Sequence, residues 1–163
     1  MRTYKLFHPG KDFCKAPVLS NPAAHFMRAS ADMASVYRDL YREIAREWKW
    51  GRALHWDISQ WRQHLDAPGV DAAILMVDAQ PAGWFELRMD PSSRSVEIYY
   101  LALRNAFLGQ GLGRPLLRQA ILAAYLHRPG RLWLKTSSED HPCALPLYIS
   151  ENFHFMAIED RHP

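Results

Sequence analysis

The sequence predicts a mixed α/β layer, and three observations carry that expectation. The run Ala72-Ala73-Ile74-Leu75-Met76-Val77, enclosed by Asp71 and Asp78, suits a short strand buried on both faces. Two further strand-like stretches follow, Trp84–Met89 and Val96–Leu103. Gln80-Pro81-Ala82-Gly83 and Asp90-Pro91-Ser92-Ser93 are the turns that set them off, so the three stretches make an antiparallel meander. Apolar residues then recur at helical spacing from Leu112 to Leu126, with Leu116, Leu117, Ala120, Ile121, Ala124 and Tyr125 on the inner side.

The other elements fall around this centre. Tyr4 and Leu6 alternate with Lys5 and Phe7, the pattern of a short first strand. Pro9, Gly10, Pro17, Asn21 and Pro22 interrupt residues 8–29, which predicts a long connection with at most short structure. Val36/Tyr37, Leu40/Tyr41, Ile44 and Trp48 form a stripe opposite Arg38, Asp39, Arg42, Glu43 and Arg46. That is an amphipathic helix, with Ser30 or Asp32 as candidate caps and Trp48 expected in the core. Asp57 is placed to cap a second short helix carrying Ile58, Trp61 and Leu65. Leu132-Trp133-Leu134 reads as a strand, residues 144–151 as a short helix and residues 153–158 as a last strand. There are no repeats, linkers or low-complexity tracts.

Composition narrows the function classes. The 163 residues are 48% hydrophobic and 23% charged, which predicts one globular domain over residues 1–163. No run of ~18 apolar residues is present, so no spanning helix is expected. Met-Arg-Thr-Tyr-Lys at the start lacks the apolar middle of a signal peptide, and a cytoplasmic location is expected. Cys14 and Cys143 are too few for a disulfide framework and read as free thiols. The net charge is +3 and 15 of the 20 cationic residues are Arg. They scatter from Arg2 to Arg161 instead of forming a stripe, so a solvated surface is expected and no nucleic-acid face. The eight histidines show no His-x-x-x-His spacing, and no metal is expected.

The most informative segment is Leu108-Gly109-Gln110-Gly111-Leu112-Gly113-Arg114, between a strand and a helix. Glycines let backbone N–H groups approach an anion, and a helix N-terminus adds unpaired donors, so the segment is shaped for phosphate. Gly113 is followed by Arg114-Pro115, not by Lys-Ser/Thr, which excludes the Walker pattern. The dinucleotide pattern requires a third glycine where Leu116 stands and an acidic residue where the next strand carries Lys135 and Thr136.

This loop resembles the Gln/Arg-x-x-Gly-x-Gly/Ala motif of the GNAT superfamily of acyl-CoA N-acyltransferases. Gly111 and Gly113 stand on the glycine positions and Leu108 on the Gln/Arg position. A second segment, His141-Pro-Cys-Ala144-Leu-Pro-Leu147-Tyr148-Ile-Ser-Glu-Asn152-Phe153, is similar to that family's Asn-x-x-Ala-x-x-Leu-Tyr-x-x-x-Gly-Phe stretch. Ala144, Leu147, Tyr148 and Phe153 match, His141 replaces Asn, and Asn152 replaces Gly at a left-handed helix end. The resemblance covers about residues 71–155.

It implies a GNAT-like mixed, mostly antiparallel central sheet flanked by helices. It also implies direct acetyl transfer from acetyl-CoA to a primary amine, most readily that of a small molecule. The alternatives are a protein N-terminal or lysine acetyltransferase and a non-catalytic acyl-CoA sensor. By resemblance, Leu101, Ala102 and Leu103 pair with the pantetheine arm. Leu108, Gly109, Gln110, Gly111, Leu112, Gly113 and Arg114 form the phosphate cradle, His141 adds a cofactor contact, and Tyr148 protonates the leaving thiolate. Glu97 is the candidate base. Glu86, on the neighbouring strand, is its rival and a candidate acceptor contact; a bulge would change which faces they share. Trp50 and Trp56 are candidates for an aromatic wall around a cationic or aromatic amine, or for packing beneath their loop. A homodimer is possible, as in many relatives; neither nucleic acid nor membrane is expected as a partner.

Overall fold

Alternating burial along the strands distributes the apolar side chains between two faces of one sheet. The computed structural model describes residues 1–48 and 50–160. The strands are β1 (Arg2–His8), β2 (His25–Arg28), β3 (Val70–Val77), β4 (Gln80–Asp90), β5 (Ser95–Leu103), β6 (Arg131–Ser137) and β7 (His154–Asp160), ordered β2-β3-β4-β5-β6-β1-β7. Among the described residues only β5 and β6 pair in parallel; every other neighbouring pair is antiparallel. Helices α1 (Ala34–Glu47) and α2 (Ile58–Leu65) cover one face, while α3 (Gly113–Leu126) and α4 (Ala144–Ser150) cover the other. The architecture is the mixed, mostly antiparallel sheet flanked by helices that the sequence predicts.

Two cores result. Leu116, Leu117, Ala120, Ile121 and Ala124 of α3 pack on Leu87, Val96, Ile98, Leu132 and Leu134. On the other face, Tyr37, Leu40, Tyr41 and Ile44 of α1 and Trp61 of α2 pack on Ile74, Trp84, Tyr100 and Ala102. Ile74 and Leu75 are both fully buried on opposite faces of β3, as the apolar run requires.

One irregularity in β5 positions the site. Val96 and Ile98 face α3, whereas Tyr100 and Ala102 face α1. Between them the ladder slips: Leu87 pairs with Ile98 and Glu86 with Tyr100, leaving Tyr99 as the extra residue of a bulge. The pairing of β5 with β6 also stops at Ile98–Leu134. Beyond the bulge β5 continues beside β4 alone.

Several local expectations are corrected. Within the connection expected to hold at most short structure, residues 25–28 pair with β3 as a short edge strand whose polar ends, His25 and Arg28, hide the pattern. The turn after β3 lies at Asp78–Ala79, both with positive φ, so Pro81 and Gly83 belong to β4. Neither Ser30 nor Asp32 caps α1; a single 3-10 turn at Ala31–Met33 leads into it. Asp57 does cap α2, in a reciprocal box with Gln60. Asn152 takes the left-handed conformation expected of it, with φ of 66°. The first strand sits between β6 and β7, far in sequence from both partners.

Gly83 tests the β4–β5 contact. A Cβ there would collide with the Ala102 carbonyl oxygen and lie 2.8 Å from Leu103 Cδ2. Gly83→Ala is expected to cost about 2 kcal/mol by overpacking. Differential scanning calorimetry should show a Tm lower by roughly 4–8 °C. An unchanged Tm would mean that the two strands do not meet this closely.

Candidate active site

The separation of β5 from β6 opens a narrow slot of about 110 Å³, lined by Leu101, Ala102, Leu103, Leu108, His141 and Tyr148 among others. It adjoins a wider cleft of about 580 Å³ on the α1 face, lined by Glu97, Tyr99, Tyr100, Lys135, Trp48 and Trp50 among others. Most of the residues expected from the sequence to serve the cofactor arm thus meet in one place. Trp48, expected in the core, is half-buried against it and also lines both cavities. It follows the last residue of α1, and its ring meets His141 edge-on with centroids 5.8 Å apart. Trp50 donates its backbone N–H to Ala45 O and stacks on Tyr100, with centroids 5.1 Å apart.

Tyr148 is buried in α4, and its hydroxyl makes no hydrogen bond among the described residues. Burial pushes its phenol far up, so the group keeps its proton. Glu97 is half-buried on the cleft floor, directly opposite Arg88 in the β4–β5 ladder. Burial raises its carboxyl; Lys135, Arg88, Arg52 and Lys5 pull the other way without cancelling the rise. A proton acceptor and a proton donor therefore line adjoining cavities. His141 Nδ1 accepts the backbone N–H of Cys143, which places a neutral ring's proton on Nε2.

The glycine loop leads from β5 into α3. Gly109 and Gly111 both have φ of +74°, and open space lies where a Cβ would stand. Among the described residues no side chain caps α3, so its first amides keep no side-chain partner there. Arg114 turns toward α4, where it bonds Glu151 and Ser150 Oγ; Arg118 Nε completes the pairing of Glu151 at 2.9 Å. Burial raises the Glu151 carboxyl, but Arg118 and Arg114 together hold it below its usual range. Much of the Arg114 charge is thus spent on this carboxylate.

Residues 33–155 match the family model described as "Acetyltransferase (GNAT) family". The chain belongs to this family. It is 32% identical over 121 residues to a mycothiol acetyltransferase of Jonesia denitrificans, covering 69% of this chain and 35% of that protein. The chain thus spans about a third of the length of that curated relative. A solved aminoglycoside acetyltransferase from an uncultured soil metagenomic sample, in complex with trehalose, superposes with a TM-score of 0.67 at 15% identity, over 79% of this chain and 87% of that one. A GCN5-related N-acetyltransferase from Sphaerobacter thermophilus superposes with a TM-score of 0.71 at 13% identity, over 96% of this chain and 49% of that one. These two structures share the fold.

Within this GNAT fold, two residues singled out by sequence stand away from the cleft. Trp56 packs edge-on against Trp61 and His64 of α2 and lines neither cavity. Glu86 is sealed between the sheet and the two helices. Tyr37 Oη donates to it at 2.5 Å, Arg88 Nε at 2.9 Å and His64 Nε2 at 3.0 Å. Burial pushes this carboxyl up, but His64, Tyr37 and Arg88 together hold it below its usual range. Arg88 also lies 3.3 Å over the ring of Tyr99, so the network reaches the bulge. Sequence reasoning passed over Arg88, Tyr99, Arg52 and Lys135. Of these, only Arg88 carried a signal, its alternation with Glu86 on one strand face.

Among the described residues no cluster of His, Cys, Asp or Glu suits a metal, and no helix is long and apolar enough to cross a membrane. The Glu86 network has a pH signature. A carboxyl with a depressed folded pKa stabilises the fold above its unfolded value, about 4.3, and loses that contribution as pH falls through the folded value. Glu86→Gln is expected to cost about 3 kcal/mol at pH 7. In urea titrations the gap between wild type and variant should shrink below pH 4.3 or so. A gap that stays constant down to pH 3 would contradict a charged network.

Proposed function

We propose that this chain transfers the acetyl group of acetyl-CoA directly to a primary amine of a small molecule, in a ternary complex. The observation that carries this reading is the edge of β5 beyond Ile98, which pairs with no strand among the described residues and where Leu101, Ala102 and Leu103 line a slot shared with Tyr148. Backbone donors and acceptors on such an edge require partners, and an extended amide-bearing arm supplies them as an added strand does. The other end of the cofactor fits as well. Gly109 and Gly111 leave open space around the backbone, and the uncapped amides of α3 favour a diphosphate. Arg114 reinforces the positive end of α3, although Glu151 takes much of its charge.

Bound acetyl-CoA supplies an activated thioester. Glu97 takes the proton of the attacking amine, directly or through one water, which its raised pKa suits. A backbone N–H of β5 beyond the bulge polarises the carbonyl. Tyr148, held neutral by burial, gives its proton to the departing sulfur. Trp48 and Trp50 wall one side of the cleft, which favours a small acceptor over a protein tail. Two of the similar proteins are acetyltransferases named for small molecules, mycothiol and aminoglycosides, which supports that class.

Three substitutions separate the roles. Gly111→Glu should abolish CoA binding in calorimetry through charge and bulk; unchanged affinity overturns the cradle. Tyr148→Phe should lower kcat by about 10²-fold with CoA affinity nearly unchanged. An unaffected kcat removes Tyr148 from the chemistry. Glu97→Gln should remove the rise in rate above the pKa of the base, and an intact profile places the base elsewhere.

A further inference from the structure

The cleft floor joins opposite charges in a way that an amine alone does not use. Lys135 stands directly opposite Lys5 in the antiparallel β6–β1 ladder, and both line the cleft. Like charges at such positions repel. Lys5 is relieved by Glu159, whose carboxylate is 2.5 Å from Nζ. Among the described residues, Lys135 makes no ion pair, and neither does Arg52, which lines the same cleft from the segment after α1. Both cations act on Glu97. Lys135 also lines the slot that holds Tyr148, so it stands at the junction of the two cavities. Besides Glu97, three acids line the cleft: Glu159, which pairs with Lys5, Glu139, and Asp140, which accepts Thr136 Oγ1 at 2.7 Å and the Ser137 N–H at 2.8 Å.

We propose that the acceptor carries a carboxylate beside its amine, and that Lys135 and Arg52 receive the carboxylate while the amine faces Glu97. The inference rests on the acetyl-transfer reading and names the substrate class. Lys5 is already paired with Glu159, whereas Lys135 and Arg52 stand beside Glu97 with no ion pair among the described residues, so a zwitterion can pair with both signs. Trp50, Tyr99 and Tyr100 offer apolar surface to the part between its charged groups.

The test uses the full chain with saturating acetyl-CoA and a panel of the common α-amino acids, β-alanine and γ-aminobutyrate, each beside its methyl ester. For the best pair, kcat/KM should favour the free carboxylate by at least about tenfold, because the ester leaves the cations unpaired. Lys135→Gln combined with Arg52→Gln should bring that ratio close to one, and Lys135→Arg should preserve it. Preference for the esters, or a carboxylate preference that survives the double variant, overturns the inference and leaves acetyl transfer standing. Turnover of no amine, with CoA still bound in calorimetry, overturns the acetyl-transfer reading, and this inference falls with it.

Discussion

Strand β5 serves two neighbours at its start and one at its end, and the rest of the molecule is arranged around that change. Up to Ile98 it pairs with both β4 and β6; from the bulge at Tyr99 onward it keeps only β4. The extra residue reverses which face each later side chain meets, moving Tyr100 and Ala102 to the α1 core. The same step frees one backbone edge and opens the slot above Tyr148. Fold, free strand edge and cleft floor thus share one structural cause.

The bulge is held from beneath by charge. Glu86 collects Tyr37 from α1, His64 from α2 and Arg88 from its own strand, and Arg88 covers the ring of Tyr99. A buried carboxylate is costly to desolvate and persists only when its lone pairs are well used. Here its donors come from both helices that cover this face, so the network ties the helical lid to the irregular strand. Glu97, two residues before the bulge, stays on the cleft side and retains a raised pKa. Two glutamates on neighbouring strands thereby take opposite roles, one spent on structure and the other open to the cleft.

What could be seen in the sequence was local. The meander and α3 follow from periodicity, and the glycine loop from its spacing and place before a helix. Tyr4 and Leu6 mark a strand, but nothing near them points to Leu134 or Ile158 as its partners. Ile98-Tyr99-Tyr100-Leu101 is apolar throughout, so alternation within it cannot reveal a slipped register. Glu86 shares a strand face with Trp84, a sign of burial, yet its partners Tyr37 and His64 come from segments far away in the chain. Trp48 continues the stripe of α1 in sequence, but the helix ends at Glu47 and the ring turns to the cleft. The charges around Glu97 come from β1, β4, β6 and the loop after α1, a pattern that exists only in the folded chain.

The most direct measurement of this account is amide hydrogen exchange, resolved by residue, with and without CoA. If the free edge of β5 takes the cofactor arm as an added strand, CoA should slow exchange at the outward-facing amides among Leu101–Leu103 and in the Gly109–Gly113 loop. The amides of β5 before Ile98, already paired on both sides, should change little. Protection confined to other strands, or none in Leu101–Leu103 when CoA is bound, would contradict it.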